Sequence, residues 1–457
     1  MSGTARAIDS LPAPTLDRRL GPLDAAALVV SNVIGGGIFF VPVIVAQMVP
    51  DARAFLLIWL IGGALAFAGA MAYAELAALR PRAGGEYVYL REAYGPLVAF
   101  LTGWTSFVAG FSGAIAASAV ALAEYLGRFF PLAADTAPLL TLPLPYLQAV
   151  VSMKTLVALT AIAGLTLAHV RGLGPGRILQ NGLAAVKVSA LLLFLILGFT
   201  MGQGDAGRVV ASGAPGSFAL TGMLVALVPV MFTYSGWNAA AYVAEEVRDP
   251  GRNVPLALGL GTLAVVVVYL GLNALYIYTL SLQGLAGIQG TLIDTVAERL
   301  FGFAIGNLIA AFAIVSLAAS VSAMVLAGPR VYFAMARDGL FPAKAGRIHP
   351  RFRAPTGAII AQAIWSSVLV LSGTLSELVS YTGFAIVLFS TVAVASVFVL
   401  RRREPHAVRP FSAWGYPWAP ALFVLAGPLM LVNQVWRDPW HSAWGLGVIA
   451  AGIPVYL

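Results

Sequence analysis

Cysteine is missing from the whole 457-residue chain. That excludes disulfides, thiolate metal sites, a cysteine nucleophile and a disulfide-linked accessory subunit. Charge is sparse, with Asp, Glu, Lys and Arg together at 10% of residues. Histidine occurs only four times, and His169, His349 and His406 fall at or near basic loops, so no metal is expected. No His/Asp/Glu grouping has ligand spacing, and there is no GxSxG elbow. An enzyme would find no catalytic residue, metal or cofactor here.

Apolar residues are abundant by contrast, at 60%, with a mean hydropathy of +0.89. A soluble chain of this length does not need so much. Runs of about 20 apolar residues, each enough to cross a bilayer, recur from Ala25 to the end and predict an all-α integral membrane protein of about twelve helices. Punctuated by Pro, Gly and charge, the predicted spans are 23–48, 54–79, 94–124, 149–169, 176–201, 219–247, 254–280, 303–337, 356–373, 376–400, 418–436 and 441–457. This divides the chain into an N-terminal tail (1–22), five spans (23–201), five more (219–400), and a basic loop with two last helices (401–457). The polar tail carries no cleavable signal pattern and is expected to remain in the cytoplasm.

A net charge of +8 and a pI near 9.8 raise nucleic-acid binding, so the placement of the 27 Lys and Arg residues decides. With the N-terminus inside, 19 of them fall in the tail and alternate loops, including Arg80, Arg82, Arg337 and Arg401, and 6 on the opposite side, while Lys187 and Arg330 sit within helices. Basic loops mark the cytoplasmic face, which predicts a multi-pass protein of the cell (inner) membrane with both termini cytoplasmic. Charge spread over a membrane face leaves no contiguous surface for nucleic acid.

The stretch "SNVIGGGIFF" (31–40) places Gly35, Gly36 and Gly37 together inside the first span. Each interior glycine costs a helix about 1 kcal/mol relative to alanine. Close packing through Ser31 and Gly35 is the competing explanation. Yet helical neighbours point about 100° apart, so a packing face does not need three consecutive glycines. "FTYSGWNAA" (232–240) interrupts the sixth span at Ser235 and Gly236. Paired breaks, one in the first span of each five, with an odd number of helices per unit, match the pattern of inverted-repeat transporters.

Unwound backbone at mid-membrane persists only where protein, water or ligand satisfies it. Carbonyls near Asn32 and Val33 end one half-helix and suit a cation; N–H groups of Gly36, Gly37 and Ile38 open the next and suit an anion. Both charges of an α-amino acid would be met, with the carbonyls of Phe232 and Ser235 completing the ammonium site. Among the flanking aromatics Phe39, Phe232, Tyr234 and Trp237, which are otherwise packing residues, Phe232 is placed to close over a substrate.

The chain resembles the amino acid–polyamine–organocation superfamily, and within it bacterial relatives of L-type amino acid exchangers. The resemblance rests on "NVIGGGIF", "YAELAALRPRAGGEYVYLREAYGP", "FTYSGWNAAAYVAEEVRDPGRNVP" and "GPRVYFAMARDGLFP", and covers nearly the whole chain. It implies a five-plus-five inverted repeat with two extra helices, an amino acid held between the first, third, sixth, eighth and tenth, and alternating access. Many relatives have serine where this chain has Gly36, so one hydroxyl contact to the carboxylate is absent here. Lys187, ten residues from Arg177 or roughly 15 Å along a helix, lies deep in the fifth span. A snorkelling lysine is one reading; a bundle-facing one is the other. By resemblance its ammonium stands in for a sodium ion, with carbonyls near the first break and the hydroxyls of Ser316 and Ser320 as partners. That implies sodium independence and leaves exchange and proton symport open. A channel would call for pore-lining rings. A carrier of cationic amino acids or polyamines would want an acidic residue beside the breaks, and the flanking sequence has none, which favours neutral amino acids. Glu75 is read beside Arg80 and Arg82, and Glu245 and Glu246 beside Arg248 and Arg252.

Overall fold

The structure, a computed structural model, describes residues 16–144, 147–210, 220–288, 292–302, 305–372, 375–437 and 439–457. Most of the N-terminal tail, Arg6 included, and the end of the loop before the sixth span lie outside the described residues.

Among the described residues, eight helices are individually long and apolar enough to cross a bilayer, a bent pair (Pro22–Val33 with Gly37–Met48, at 48°) adds a ninth span, and shorter apolar helices over Gly222–Tyr234, Thr356–Ser372 and Ser442–Tyr456 bring the segments to twelve. They follow the predicted spans closely. One departure is local. Residues 149–151, expected to start the fourth span, instead end the second strand of an antiparallel hairpin, Leu140–Leu144 against Leu147–Val151, with Leu140 opposite Val151. The helix Met153–Val170 then starts at Ser152, whose hydroxyl accepts the Thr155 N–H at 3.2 Å and caps the first turn. A short apolar run does not distinguish strand from helix until a cap marks the boundary.

The second span (Ala52–Leu79) and the seventh (Pro250–Thr279) run through the middle of the bundle. Small residues let them approach: a Cβ on Gly63 would lie 2.9 Å from Val266 and 3.0 Å from the Tyr234 hydroxyl. On the outside, Leu192, Leu193 and Ile196 of the fifth span and Leu422, Leu425 and Leu429 of the eleventh are exposed, as lipid-facing surface requires.

One end of the bundle carries most of the loop cations, paired across distant segments. Arg91 meets Asp338 at 2.6 Å, Arg337 meets Glu245 at 3.2 Å, and Arg80 bridges Glu92 and Glu404. At the other end Lys154 meets Glu124 at 2.8 Å. Three acidic residues have partners other than those expected from local sequence, Glu245 with Arg337 being the first. Glu75 pairs with Arg401 at 2.6 Å and Arg409 at 3.3 Å and accepts the Ala413 N–H at 2.7 Å. Glu246 is fully buried against Arg330 through two 2.9 Å contacts. Their cations arrive from spans far along the chain, beyond the reach of a reading by sequence neighbours.

At the same basic end, the chain leading into the first span pairs with the chain leaving the sixth. The Leu20 N–H donates to the Glu246 carbonyl at 3.0 Å, and the Arg248 N–H to the Leu20 carbonyl at 2.9 Å.

Candidate functional site

The first span is helical from Pro22 to Val33, extended at Gly35, a tight turn over Gly36–Phe39, and helical again over Val41–Met48. In the sixth, the helix Leu220–Tyr234 gives way to a turn over residues 235–238 before a short helix Ala239–Tyr242. Both predicted interruptions are present. They also touch. Gly236 has φ +99°, and a Cβ there would lie 2.6 Å from Asn32 Nδ2 and 3.1 Å from the Asn32 carbonyl, so glycine is required for both conformation and approach. A Cβ on Gly37 would sit 3.2 Å from the Thr233 side chain.

Two side chains stitch the breaks. The Tyr269 hydroxyl, on the seventh span, lies 2.9 Å from the Val33 carbonyl and 3.2 Å from that of Thr233. Lys187, fully buried in the fifth span (Leu173–Thr200), donates to the Ser31 carbonyl at 3.2 Å, to Ser320 Oγ at 2.9 Å, and to the Ile34 carbonyl. It faces the bundle and does not snorkel. Ser320, in the eighth span (Gly306–Arg337), also donates within 3.1 Å of the Ser31 and Ile34 carbonyls. The Ser316 hydroxyl is buried without a hydrogen-bond partner among the described residues, so of the two serines only Ser320 meets the lysine.

A cavity of about 340 Å³ opens where the breaks meet. Its walls come from the first span (Asn32, Val33, Gly35, Gly36, Gly37, Phe40), the third (Thr102 to Ala121), the sixth (Phe232, Ser235, Asn238), the eighth (Leu317, Ser320, Met324) and the tenth (Ala385, Phe389, Ser390). Ile38, Tyr234 and Trp237 are set behind this wall. Ile38 is buried; the Tyr234 hydroxyl donates to the Trp59 carbonyl at 3.1 Å; Trp237 packs edge-on against Tyr73 and Phe423. Bulky rings flanking a break fill the core on the side away from the opening.

The carbonyls are less free than the sequence suggests. Those of Ser31, Val33, Ile34 and Thr233 have side-chain donors, and the Phe232 carbonyl accepts the Ser235 N–H at 3.0 Å. A carbonyl has two lone pairs, so capacity remains. Asn32 donates from Nδ2 to the Gly236 carbonyl at 3.3 Å, while its Oδ1 is buried with no hydrogen-bond partner among the described residues.

Three features escaped the sequence reading. Tyr269 lies within "VVVVYLGLNALY", where nothing distinguishes it from a packing residue. The third span loosens to a wider turn at Ser106–Gly110, whose backbone is served by Tyr332 on the Ser106 carbonyl at 3.1 Å and Trp365 on that of Val108 at 2.9 Å. Glu86, from the amphipathic helix Glu86–Tyr94, reaches the cavity wall, so an acidic group lies near the breaks although none flanks them in sequence. Among the described residues no cluster of three or more His, Asp or Glu could hold a metal.

The sequence profile of the amino acid permease family matches residues 20–452, and the chain belongs to that family. It is a multi-span membrane transporter. Among curated proteins it is similar to the serine/threonine exchanger SteT of Bacillus subtilis (27% identical over 443 residues, 96% of each chain). It is also similar to the human cystine/glutamate transporter (28% over 445 residues, 96% of this chain and 85% of the relative). The human large neutral amino acids transporter small subunit 2 is 28% identical over 446 residues, 96% of this chain and 80% of the relative.

Proposed function

We propose that this chain is a sodium-independent secondary carrier of neutral α-amino acids, working by alternating access with its termini and basic end in the cytoplasm. One observation carries the reading: two unwound segments, from spans about 200 residues apart, meet at one cavity and leave Asn32 Oδ1 buried beside it with no hydrogen-bond partner among the described residues. The Gly36 and Gly37 N–H groups receive the substrate carboxylate. Asn32 Oδ1, with the second lone pairs of the Val33 and Phe232 carbonyls, receives the ammonium, and the Phe232 ring closes over it. The volume fits a small ligand. Ser235 lies beside this pocket; Tyr234 and Trp237 support it from behind. The two five-span units, 23–201 and 219–400, are inverted relative to one another, as their matching interruptions suggest. Walls made largely of small residues and phenylalanine, with Leu317 and Met324 among them, favour neutral side chains, and relatives named for serine, threonine and large neutral amino acids point the same way.

The test uses liposomes loaded with or without unlabelled amino acid and challenged with a labelled panel under separate sodium and pH gradients. Neutral amino acids should enter saturably and faster against an internal amino acid, with no response to sodium. Uptake driven by a sodium gradient alone would overturn the role given to Lys187, whose ammonium replaces the ion. Single-channel currents would overturn the carrier mechanism.

Gly36 offers a second test. A Cβ there has the Phe40 ring at 3.8 Å as its nearest neighbour, so Gly36→Ser fits without displacement. Its hydroxyl would add one hydrogen bond to the substrate carboxylate, worth about 1.5 kcal/mol or more. The concentration for half-maximal counterflow should fall by about tenfold; an unchanged value would place the carboxylate elsewhere.

A further inference from the structure

The amphipathic helix Glu86–Tyr94 lies between the second and third spans at the basic end and packs against the tenth span, while the turn before it, residues 83–85, docks on the second half of the sixth. Gly84 and Gly85 permit this, with φ +113° and +53°; the Gly84 N–H donates to the Tyr242 carbonyl at 3.1 Å, and a Cβ on Gly85 would lie 2.7 Å from the Tyr242 ring. Next to them, the Ala83 N–H donates to Glu245 at 3.0 Å. The first residue of the helix, Glu86, is thereby carried to the cavity wall.

Its surroundings are polar but not cationic. The Tyr73 hydroxyl, from the second span, donates to Oε2 at 2.6 Å, and Asn238 Nδ2, from the sixth-span break, approaches the same oxygen at 3.4 Å. Asn238 also lies 3.0 Å from the Tyr242 hydroxyl, and the Tyr89 ring packs edge-on against Tyr73. The guanidinium groups of the surrounding elements are engaged elsewhere: Arg80 with Glu92 and Glu404, Arg91 with Asp338, Arg330 with Glu246, Arg337 with Glu245, and Arg401 with Glu75. Glu86 thus faces tyrosines and an amide, with no cation paired to it among the described residues.

We propose that Glu86 is the proton-binding group of this transporter, its carboxyl taking up a proton in step with substrate loading and releasing it when the cavity opens to the other side. The reading rests on the chain being an amino acid carrier. Burial raises the carboxyl above its ordinary value, and hydrogen bonds from Tyr73 and Tyr242 offset part of that rise. Tyr73 and Asn238 both approach Oε2; once the carboxyl is neutral, that oxygen accepts more weakly from each, whichever oxygen carries the proton. Asn238 is two residues from Gly236, where the breaks touch, so protonation loosens a contact at the hinge of the sixth span.

Proteoliposomes enclosing a pH-sensitive dye give the test. Adding a neutral amino acid outside should acidify the interior of wild-type vesicles, and acid outside should speed uptake. Glu86→Gln, which mimics the protonated form, should abolish the substrate-driven acidification and the pH dependence while counterflow continues. Tyr73→Phe keeps the ring contacts but removes the donor that favours the charged form. It should move the midpoint of the uptake–pH profile to more alkaline pH by about one unit, and it serves as the deciding variant should Glu86→Gln not fold. Unaltered proton entry in Glu86→Gln, an unmoved midpoint in Tyr73→Phe, or a wild-type protein that carries substrate without protons would each overturn the proposal and leave the carrier reading intact. Loss of arginine or lysine uptake with an unchanged pH profile would assign Glu86 to substrate selection instead. A wild-type protein that carries no amino acid would overturn both readings.

Discussion

Lys187→Met should lower amino acid counterflow by about 100-fold, the effect of removing one partner from a buried, charge-assisted hydrogen-bond cluster (~3 kcal/mol). Methionine matches the length of the stem and keeps the packing of a fully buried position. What disappears is the ammonium that holds the Ser31 and Ile34 carbonyls and Ser320 together. Those carbonyls end the first half-helix, so without a donor the break has no fixed shape to present to a substrate. Lys187→Arg should not rescue, because a planar fork requires more room than a fully enclosed site gives. Counterflow in proteoliposomes, normalised to monodisperse protein on size-exclusion chromatography, reads the result. Near-native rates in Lys187→Met would show that the half-helix ends hold without the ammonium.

A second substitution should be more damaging still: Gly236→Val is expected to abolish measurable transport. At φ +99° a side chain is strained by about 1–2 kcal/mol, and its Cβ would stand 2.6 Å from Asn32 Nδ2. Separating the two breaks to relieve that overlap takes Asn32 off the Gly236 carbonyl and opens the seam that forms the pocket. Gly36→Ala provides the control, since its added methyl has no atom nearer than 3.8 Å. Counterflow should survive there. Equal loss in both variants would mean that glycine at either place serves helix flexibility and not contact.

The spans were readable because lipid imposes one rule on every segment: about 20 apolar residues with the backbone satisfied internally. The broken helices were readable for a related reason, since three adjacent glycines violate the rule at visible cost. Lys187 stood out as a charge where charge is expensive. What sequence does not carry is which distant side chain completes each local oddity. Tyr269 is ordinary among apolar neighbours until the Val33 and Thr233 carbonyls are brought to it. Glu86 follows a Gly-Gly turn in a loop, and only the docking of that turn on Tyr242 delivers it to the cavity. Ion pairs drawn between sequence neighbours, as for Glu75 and Glu246, differ from those observed because helix ends crowd together at the basic end and the nearest cation in space comes from another span.

The pairing of Leu20 with the segment 246–248 has a mechanical meaning. Two backbone hydrogen bonds clamp the roots of the interrupted spans together, and the adjoining Arg330–Glu246 contact fastens the same root to the eighth span. Any swing of one interrupted span therefore drags the other as a single lever. Its fulcrum lies at the cation-rich end of the bundle, so opening the cavity towards that end would require the clamp either to travel whole or to come apart strand from strand.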